Sequence, residues 1–306
     1  MSTPWAYSNG RLIPAAELTV STSDAGFVLG ATVSEQLRTF GGRLFRLEQH
    51  LARLTRSLEI VGIELGRPLG DLAVSAQDLA ERNHRLLDAG DDLGLAIFVT
   101  PGGYAPLAGR GARPSGPTIA MHTWPLAFGL WAASYERGEV LATTDVMQTP
   151  PECWPPELKC RSRMHYYLAD RAARAREPGA KALLLDQSGR VCETAAANLV
   201  LVREDGGLLT PPRDQVLRGI SLQVLHELAE GLEVPWQERE LRMADLNGAS
   251  ELLLTSTHSC LLPAVRLNGQ AIGDGQPGLV YRQLLAAWSR LVGLDIAAQA
   301  ARFATA

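Results

Sequence analysis

The chain has no apolar run approaching the roughly 20 residues of a membrane helix. Its opening, Met1-Ser-Thr-Pro-Trp-Ala-Tyr-Ser8, has neither a basic start nor an apolar stretch, so no secretory signal is expected. Positive charge is not in excess: 29 lysines and arginines stand against 33 acidic residues, a net charge of −4, and the arginines are scattered. That balance argues against a nucleic-acid partner, which calls for a basic footprint. Cysteines are few. Cys153, Cys160, Cys192 and Cys260 form no C-x-x-C pair, which argues against a zinc site and a disulfide framework. The simplest expectation is a cytoplasmic protein with reduced thiols, no metal and no membrane contact.

What is present fits a globular protein of one large or two ordinary domains: 306 residues, 46% hydrophobic and 20% charged. Asn9-Gly10 is a strong hairpin cue before Arg11-Leu-Ile-Pro14. A strand over Thr32–Phe40 turns at Gly41-Gly42 into Leu44-Phe45. Leu47, Leu51, Leu54 and Leu58 recur at helical spacing, and a second helix is expected from about Leu72 to Leu87, with Asp71 or Ser75 as its cap. Strands at Leu95–Thr100 and Thr118–Met121 flank a long Gly/Pro loop, Pro101–Pro117, of a length usual for functional or mobile loops. Beyond it come strands from Glu139, Ala182, Asn198 and Glu251, and helices from Ser162, Gly219 and Leu279. The order is mixed α+β in two halves rather than a regular βαβ array. The expected division is a small N-terminal domain over 1–125, a linker over 126–135 and a larger domain over 136–306.

Lys159 follows the Pro-rich loop Thr149-Pro-Pro-Glu-Cys-Trp-Pro-Pro156, a composition suited to fixing backbone in an enclosed place. A single lysine near a helix start is most often a solvated surface residue. Schiff-base chemistry needs an amine that loses its proton near neutral pH, which partial burial favours. Glu193 precedes Thr-Ala-Ala-Ala-Asn198; it is either a turn residue or a carboxylate able to keep a pyridinium nitrogen protonated. Two segments could cradle a phosphate. Gly219-Ile220-Ser221 opens a helical pattern, so its N–H groups and the Ser221 hydroxyl can face an anion. Thr255-Ser256-Thr257-His258-Ser259 ends a strand with consecutive polar groups. Alone, each reads as a plain cap or turn, and Arg53 as a solvated helix arginine.

Together these residues carry a resemblance. Asp24-Ala-Gly-Phe-x-x-Gly30, Glu35-Gln-Leu-Arg38 and His50-x-x-Arg53-Leu54 look like the N-terminal signature of class IV aminotransferases. That family includes branched-chain and D-amino-acid aminotransferases and aminodeoxychorismate lyase. Lys159 with Glu193 34 residues later, then Asn198, Gly219-Ile220-Ser221 and Thr255-Ser256-Thr257, continue the match in order over roughly residues 8–265. The resemblance implies a fold type IV homodimer with a small N-terminal α/β domain, a larger C-terminal α/β pseudo-barrel domain, and pyridoxal 5'-phosphate between them. Lys159 would be its Schiff-base lysine and proton carrier, and Glu193 the partner of its pyridine nitrogen. Arg53, the amides of Ile220 and Ser221, and Thr257 would hold the phosphate, with Asn198, Gly219 and Ser256 beside them.

The chain also departs from its relatives. Pro101-Gly-Gly103 stands where D-amino-acid aminotransferases carry an arginine after Val-Thr. Ser34 replaces a pocket tyrosine or phenylalanine, and Ala195–Ala197 a serine-rich stretch. After Lys159 the chain reads Cys-Arg-Ser-Arg-Met-His-Tyr-Tyr; Tyr166 is the nearest candidate for the family's tyrosine at the cofactor's phenolic oxygen, displaced by two positions. Arg161 and Arg163 either bind a substrate carboxylate or pair with acids on the helix surface; Ser34 and His258 are further candidates for substrate contact. The expected reaction moves an amino group between an amino acid and a 2-oxo acid. The alternatives are elimination of pyruvate from aminodeoxychorismate and, in another class, a protein that binds the cofactor without turnover.

Overall fold

Asn9 and Gly10 both adopt positive φ, 46° and 96°, and close a two-residue hairpin in which Ser8 faces Arg11. This turn joins β1 (Trp5–Ser8) to β2 (Arg11–Pro14). The computed structural model describes residues 3–109 and 115–304, so positions 110–114 of the long Gly/Pro loop lie outside the described residues. The chain divides into two units: Met1–Leu126 with Leu158–Ser162, and Ala127–Glu157 with Arg163–Ala306.

The first unit adds β3 (Val33–Phe40), β4 (Arg43–Leu44), β5 (Leu93–Thr100) and β6 (Thr118–Pro125), with α1 (Ala25–Val28), α2 (Leu47–Val61) and α3 (Leu69–His84). Its antiparallel sheet runs β2-β1-β6-β5-β3-β4. Strand alternation sends Val33, Leu37, Leu95, Ile97, Val99, Ile119 and Met121 to one face, where they pack with Leu51, Leu54 and Leu58 of α2 and Leu72 and Leu79 of α3. Each buried leucine contributes about 1.5–3 kcal/mol. Helix α2 ends at Gly62 in the left-handed conformation, φ 73°. Helix α3 starts three residues earlier than its leucine spacing predicts and takes no side-chain cap. Pro68 precedes it, and Ser75 donates to the Asp71 carbonyl instead.

Asp24 explains the Asp-Ala-Gly run. Its Oδ1 accepts from the Gly26 amide and caps α1, while its Oδ2 accepts from the hydroxyls of Thr100 and Thr118. A Cβ on Gly26 would lie 2.3 Å from Thr100 Cγ2, so no larger residue fits there.

The second unit contains β7 (Glu139–Thr143), β8 (Lys181–Leu185), β9 (Val191–Thr194), β10 (Asn198–Val202), β11 (Leu208–Thr210), β12 (Trp236–Glu238), β13 (Glu251–Ser256), β14 (Cys260–Leu267) and β15 (Gln270–Ala271). Its helices are α4 (Ser134–Arg137), α5 (Met164–Arg176), α6 (Ile220–Gly231), α7 (Met243–Asn247), α8 (Leu279–Val292) and α9 (Ile296–Phe303). The order is β12-β11-β10-β13-β14-β7-β8-β9, and β9 returns to pair with β10. Strand β10 meets β9 at Asn198 and β11 at Leu201 and Val202, so β10, β13, β14, β7, β8 and β9 close into a ring. This is the α+β architecture with a pseudo-barrel that the resemblance implied. Leu141, Leu183, Val191, Leu199, Leu252 and Leu254 form one core of this unit. Ala169 and Ala173 of α5 pack in a second, with Ala142, Ala182 and Leu184. Residues 127–135 also pack here, with the Phe128 ring 6.1 Å from that of Phe303. No helix among the described residues is long and apolar enough to cross a membrane.

Candidate active site

In the first unit Lys159 lies in a short segment bridged to β3. Its carbonyl accepts from the Ser34 amide at 3.0 Å, Val33 bridges to Cys160, and the Arg161 amide donates to the Thr32 carbonyl at 2.8 Å. The Lys159 amide donates to Ser57 Oγ at 3.2 Å, and Ser162 Oγ donates to the Gly30 carbonyl at 2.8 Å. Leu158 packs against the core of the same unit. Both main-chain polar groups of Lys159 are therefore fixed by β3 and α2, and its side chain departs from a defined backbone.

His50, Arg53 and Ser57 recur at helical spacing on α2. Arg53 Nε and Nη2 donate to Glu35 at 2.7 and 2.8 Å, and His50 Nδ1 lies 2.8 Å from Glu35 Oε2. Burial alone would raise the Glu35 carboxyl, but the charge and hydrogen bonds of Arg53, aided by His50, bring it down to about 2. An ionised carboxylate only accepts, so His50 is the donor. Burial holds the His50 imidazole below its usual range; Glu35 opposes this, and the charges of Arg53 and Lys159 reinforce it. Elsewhere on this sheet, Phe98, His122 and Trp124 form a row with ring centroids 6.5 and 5.3 Å apart. Burial and then the Arg161 charge push His122 below its usual range.

In the second unit Glu193, 5% exposed, is the centre of a network. Tyr166 donates its hydroxyl proton to Glu193 Oε1 at 2.9 Å, and Asn198 Nδ2 donates to Oε2 at 3.0 Å. Asn198 Nδ2 also reaches the Leu217 carbonyl at 2.9 Å, and the Leu217 amide donates to Glu193 Oε1 at 3.4 Å. Burial, followed by the negative charge of Glu193, pushes the Tyr166 hydroxyl well above its usual range, so it stays a donor. Burial and the charges of Asp186 and Glu193 push the Cys192 thiol up to about 12, which removes it as a nucleophile. The alanines after Glu193 form a tight turn: the amides of Ala196 and Ala197 donate to Thr194 Oγ1. Arg163 donates to the Ala195 carbonyl and lies over the Tyr166 ring, 4.6 Å from its centroid. Among the described residues, a carbonyl and a ring hold it.

Helix α6 begins at Ile220 with Gly219 as its N-cap and no side chain bonded to its first amides. A Cβ on Gly219 would lie 2.0 Å from Asn198 Oδ1, so a larger residue where the helix start meets the Glu193 network would push Asn198 out of place. Ile220 and Ser221 are 8% and 9% exposed. Strand β13 places Thr255 opposite Asn198, and Thr255 Oγ1 is buried without a hydrogen-bond partner among the described residues. Ser256 and Ser259 share a hydroxyl bond at 2.8 Å, Thr257 lies in the turn between them, and the His258 ring stacks on Trp131 with centroids 6.4 Å apart.

The fourteen residues singled out in the sequence thus fall into two groups. Ser34, Arg53, Lys159 and Arg161 belong to the first unit. Arg163, Tyr166, Glu193, Asn198, Gly219, Ile220, Ser221, Ser256, Thr257 and His258 belong to the second. The sequence gives no role to Glu35, Ser57 or Gln148, and offers Thr255 only as part of a possible phosphate cradle. Ser57 could have been found, since it shares the helical spacing of His50 and Arg53; a lone Gln148 carries no such signal.

Known proteins resemble this chain in sequence and in fold. The family described as Amino-transferase class IV matches residues 32–267. D-alanine aminotransferase of Bacillus licheniformis is 28% identical over 272 residues, covering 88% of this chain and 90% of that protein. Branched-chain amino acid aminotransferase of Escherichia coli superposes with a TM-score of 0.85 at 22% identity, covering 95% of each chain. The branched-chain enzyme of Thermoproteus uzoniensis, solved with norvaline, gives a TM-score of 0.81 at 22% identity, over 95% of this chain and 96% of that one. With more than two thirds of its length inside that family match, the chain belongs to the class IV aminotransferases and is an enzyme that transfers amino groups.

Proposed function

We propose that the chain is a pyridoxal 5'-phosphate-dependent aminotransferase in which Lys159 is the catalytic amine. The observation that carries this reading is the set of groups left open around α6. Thr255 Oγ1 is an orphaned buried hydroxyl, and the first amides of α6 have no side-chain cap. Such a pairing suits a phosphate. Nearby Glu193 is a buried acid held in place by three donors.

Bound there, pyridoxal phosphate would supply an aldehyde that condenses with amines and a protonated ring that draws electrons from the adjacent carbon. Glu193 would keep the ring nitrogen protonated. Ile220, Ser221, Thr257 and Arg53 would bind the phosphate, with Gly219, Ser256 and Asn198 shaping the cradle. Lys159 would hold the aldehyde and, once displaced by the substrate amine, carry the proton from the substrate's α-carbon. Arg161, whose charge is felt by His122 beside Phe98 and Trp124, would take the substrate carboxylate, with Ser34 and His258 as further contacts.

The substrates are an amino acid and a 2-oxo acid. A homodimer is supported by apolar residues left exposed: Phe27, Leu29 and Leu107 in the first unit, and Met164, Tyr167 and Leu168 along α5. Four thiols with no disulfide between them fit a cytoplasmic setting.

The test is spectral. The chain saturated with pyridoxal phosphate is expected to show a visible absorption band that Lys159→Ala lacks while keeping its circular dichroism. A band of equal strength in both proteins would refute the assignment. Release of pyruvate with no 2-oxo acid present would point to elimination instead.

A further inference from the structure

The Tyr166 hydroxyl is held from two sides. It gives its proton to Glu193 Oε1 at 2.9 Å and accepts from Gln148 Nε2 at 3.1 Å. A hydroxyl has one proton and an ionised carboxylate can only accept, so the chain runs in one direction, from Gln148 through Tyr166 to Glu193. Gln148 is 8% exposed and its Oε1 has no hydrogen-bond partner among the described residues, so the contact to Tyr166 orients its amide. Arg163 covers the Tyr166 ring at 4.6 Å and the His165 ring lies 3.9 Å away. The tyrosine cannot swing off the acid without breaking several contacts.

We infer that Tyr166 is a positioning residue of the reaction, stabilising the ionised form of Glu193 and thereby the protonated state of the ring nitrogen that Glu193 faces. The inference rests on the assignment of Glu193 made above. Donors on a carboxylate favour the pair of pyridinium and carboxylate over the pair of pyridine and carboxylic acid. Asn198 and the Leu217 amide supply further donors. With Tyr166 gone the balance moves toward the neutral pair, which weakens the ring as an electron sink. Among the described residues, Arg163 and His165 from α5 are titratable or charged groups seen against this pair, and Cys192, next to Glu193 on β9, feels its charge. Asn198, Leu217 and Gln148 present only neutral groups.

Tyr166→Phe keeps the ring beneath Arg163 and removes only the hydroxyl. The experiment follows the visible band of the cofactor-loaded wild type and variant across pH, together with melting temperature. Loss of one hydrogen bond to a charged group changes an equilibrium roughly tenfold, so the midpoint of the band's titration is expected to move by about one pH unit. A wild-type midpoint in Tyr166→Phe overturns the inference, and so does a lowered melting temperature with an unmoved midpoint, the mark of a merely structural tyrosine. Should Tyr166→Phe not fold, Gln148→Met carries the test: a midpoint moved in the direction of weaker ring protonation supports the inference, and an unmoved one overturns it. A wild-type chain with no visible band would instead overturn the reading of Glu193 and Lys159 beneath it.

Discussion

Arg53 grips Glu35 with two parallel hydrogen bonds, 2.7 Å from Nε and 2.8 Å from Nη2, and the carboxylate they hold has no exposure to solvent. A pair buried to this degree ties α2 to β3 and aims the guanidinium. It also makes both stability and Arg53's orientation depend on one proton.

The Glu35 carboxyl falls from 4.5 to about 2 on folding, worth roughly 3 kcal/mol at about 1.4 kcal/mol per pH unit. That stability is present above pH 4.5 and is lost as pH falls toward 2. Urea denaturation of wild type is expected to show the decline, and Glu35→Gln to show little of it on a lower baseline. A parallel decline in both proteins would place the acid sensitivity elsewhere.

Gly219→Ala drives a methyl group into Asn198 Oδ1. Relief requires Asn198 to turn, releasing Glu193 and the Leu217 carbonyl together. The expected cost is about 1–3 kcal/mol of stability, with roughly tenfold weaker cofactor binding. Calorimetric titration with pyridoxal phosphate measures the second effect, and wild-type affinity would show that the helix start is not the phosphate cradle.

Ser57→Ala takes the acceptor from the Lys159 amide. An unmet donor there costs about 1–3 kcal/mol, and looser backbone at the amine is expected to slow turnover roughly tenfold. Ser57→Thr keeps a hydroxyl and should retain most of the rate. Equal rates in wild type and Ser57→Ala would mean that β3 alone suffices to hold the lysine.

Arg161→Met is expected to raise KM for the amino acid roughly tenfold with kcat nearly unchanged, as for a contact equally strong before and at the transition state. Steady-state kinetics decides it: a lower kcat at constant KM would assign Arg161 to the chemistry.

The local parts of this fold were legible in the residue order. Asn9-Gly10, the leucines from Leu47 to Leu58 and the start at Gly219-Ile220 depend on neighbours within a turn or two, and they appear at the expected places. Elements decided by distant partners were hidden. Strand β14 carries Pro263 opposite Leu253 in the ring, where a proline argues against a strand until its neighbours are known. The bridged segment at Lys159 bonds to residues 32–34, far away in sequence, so a Pro-rich loop gave no sign of it. Tyr166 could be noticed as a displaced tyrosine, but its partner Glu193 lies 27 residues on, and only the packing of α5 onto β7 and β8 joins them. Glu35 stood in the signature without a role because its burial comes from α2 covering β3.

The contact where β9 closes on β10 is Glu193 opposite Asn198, so the acid is also the seam of the ring. A substitution that unzips this seam would bare the main-chain edges of two strands and offer them to other molecules. Variants at either position should therefore be screened for clumping in solution before a missing activity is ascribed to lost chemistry.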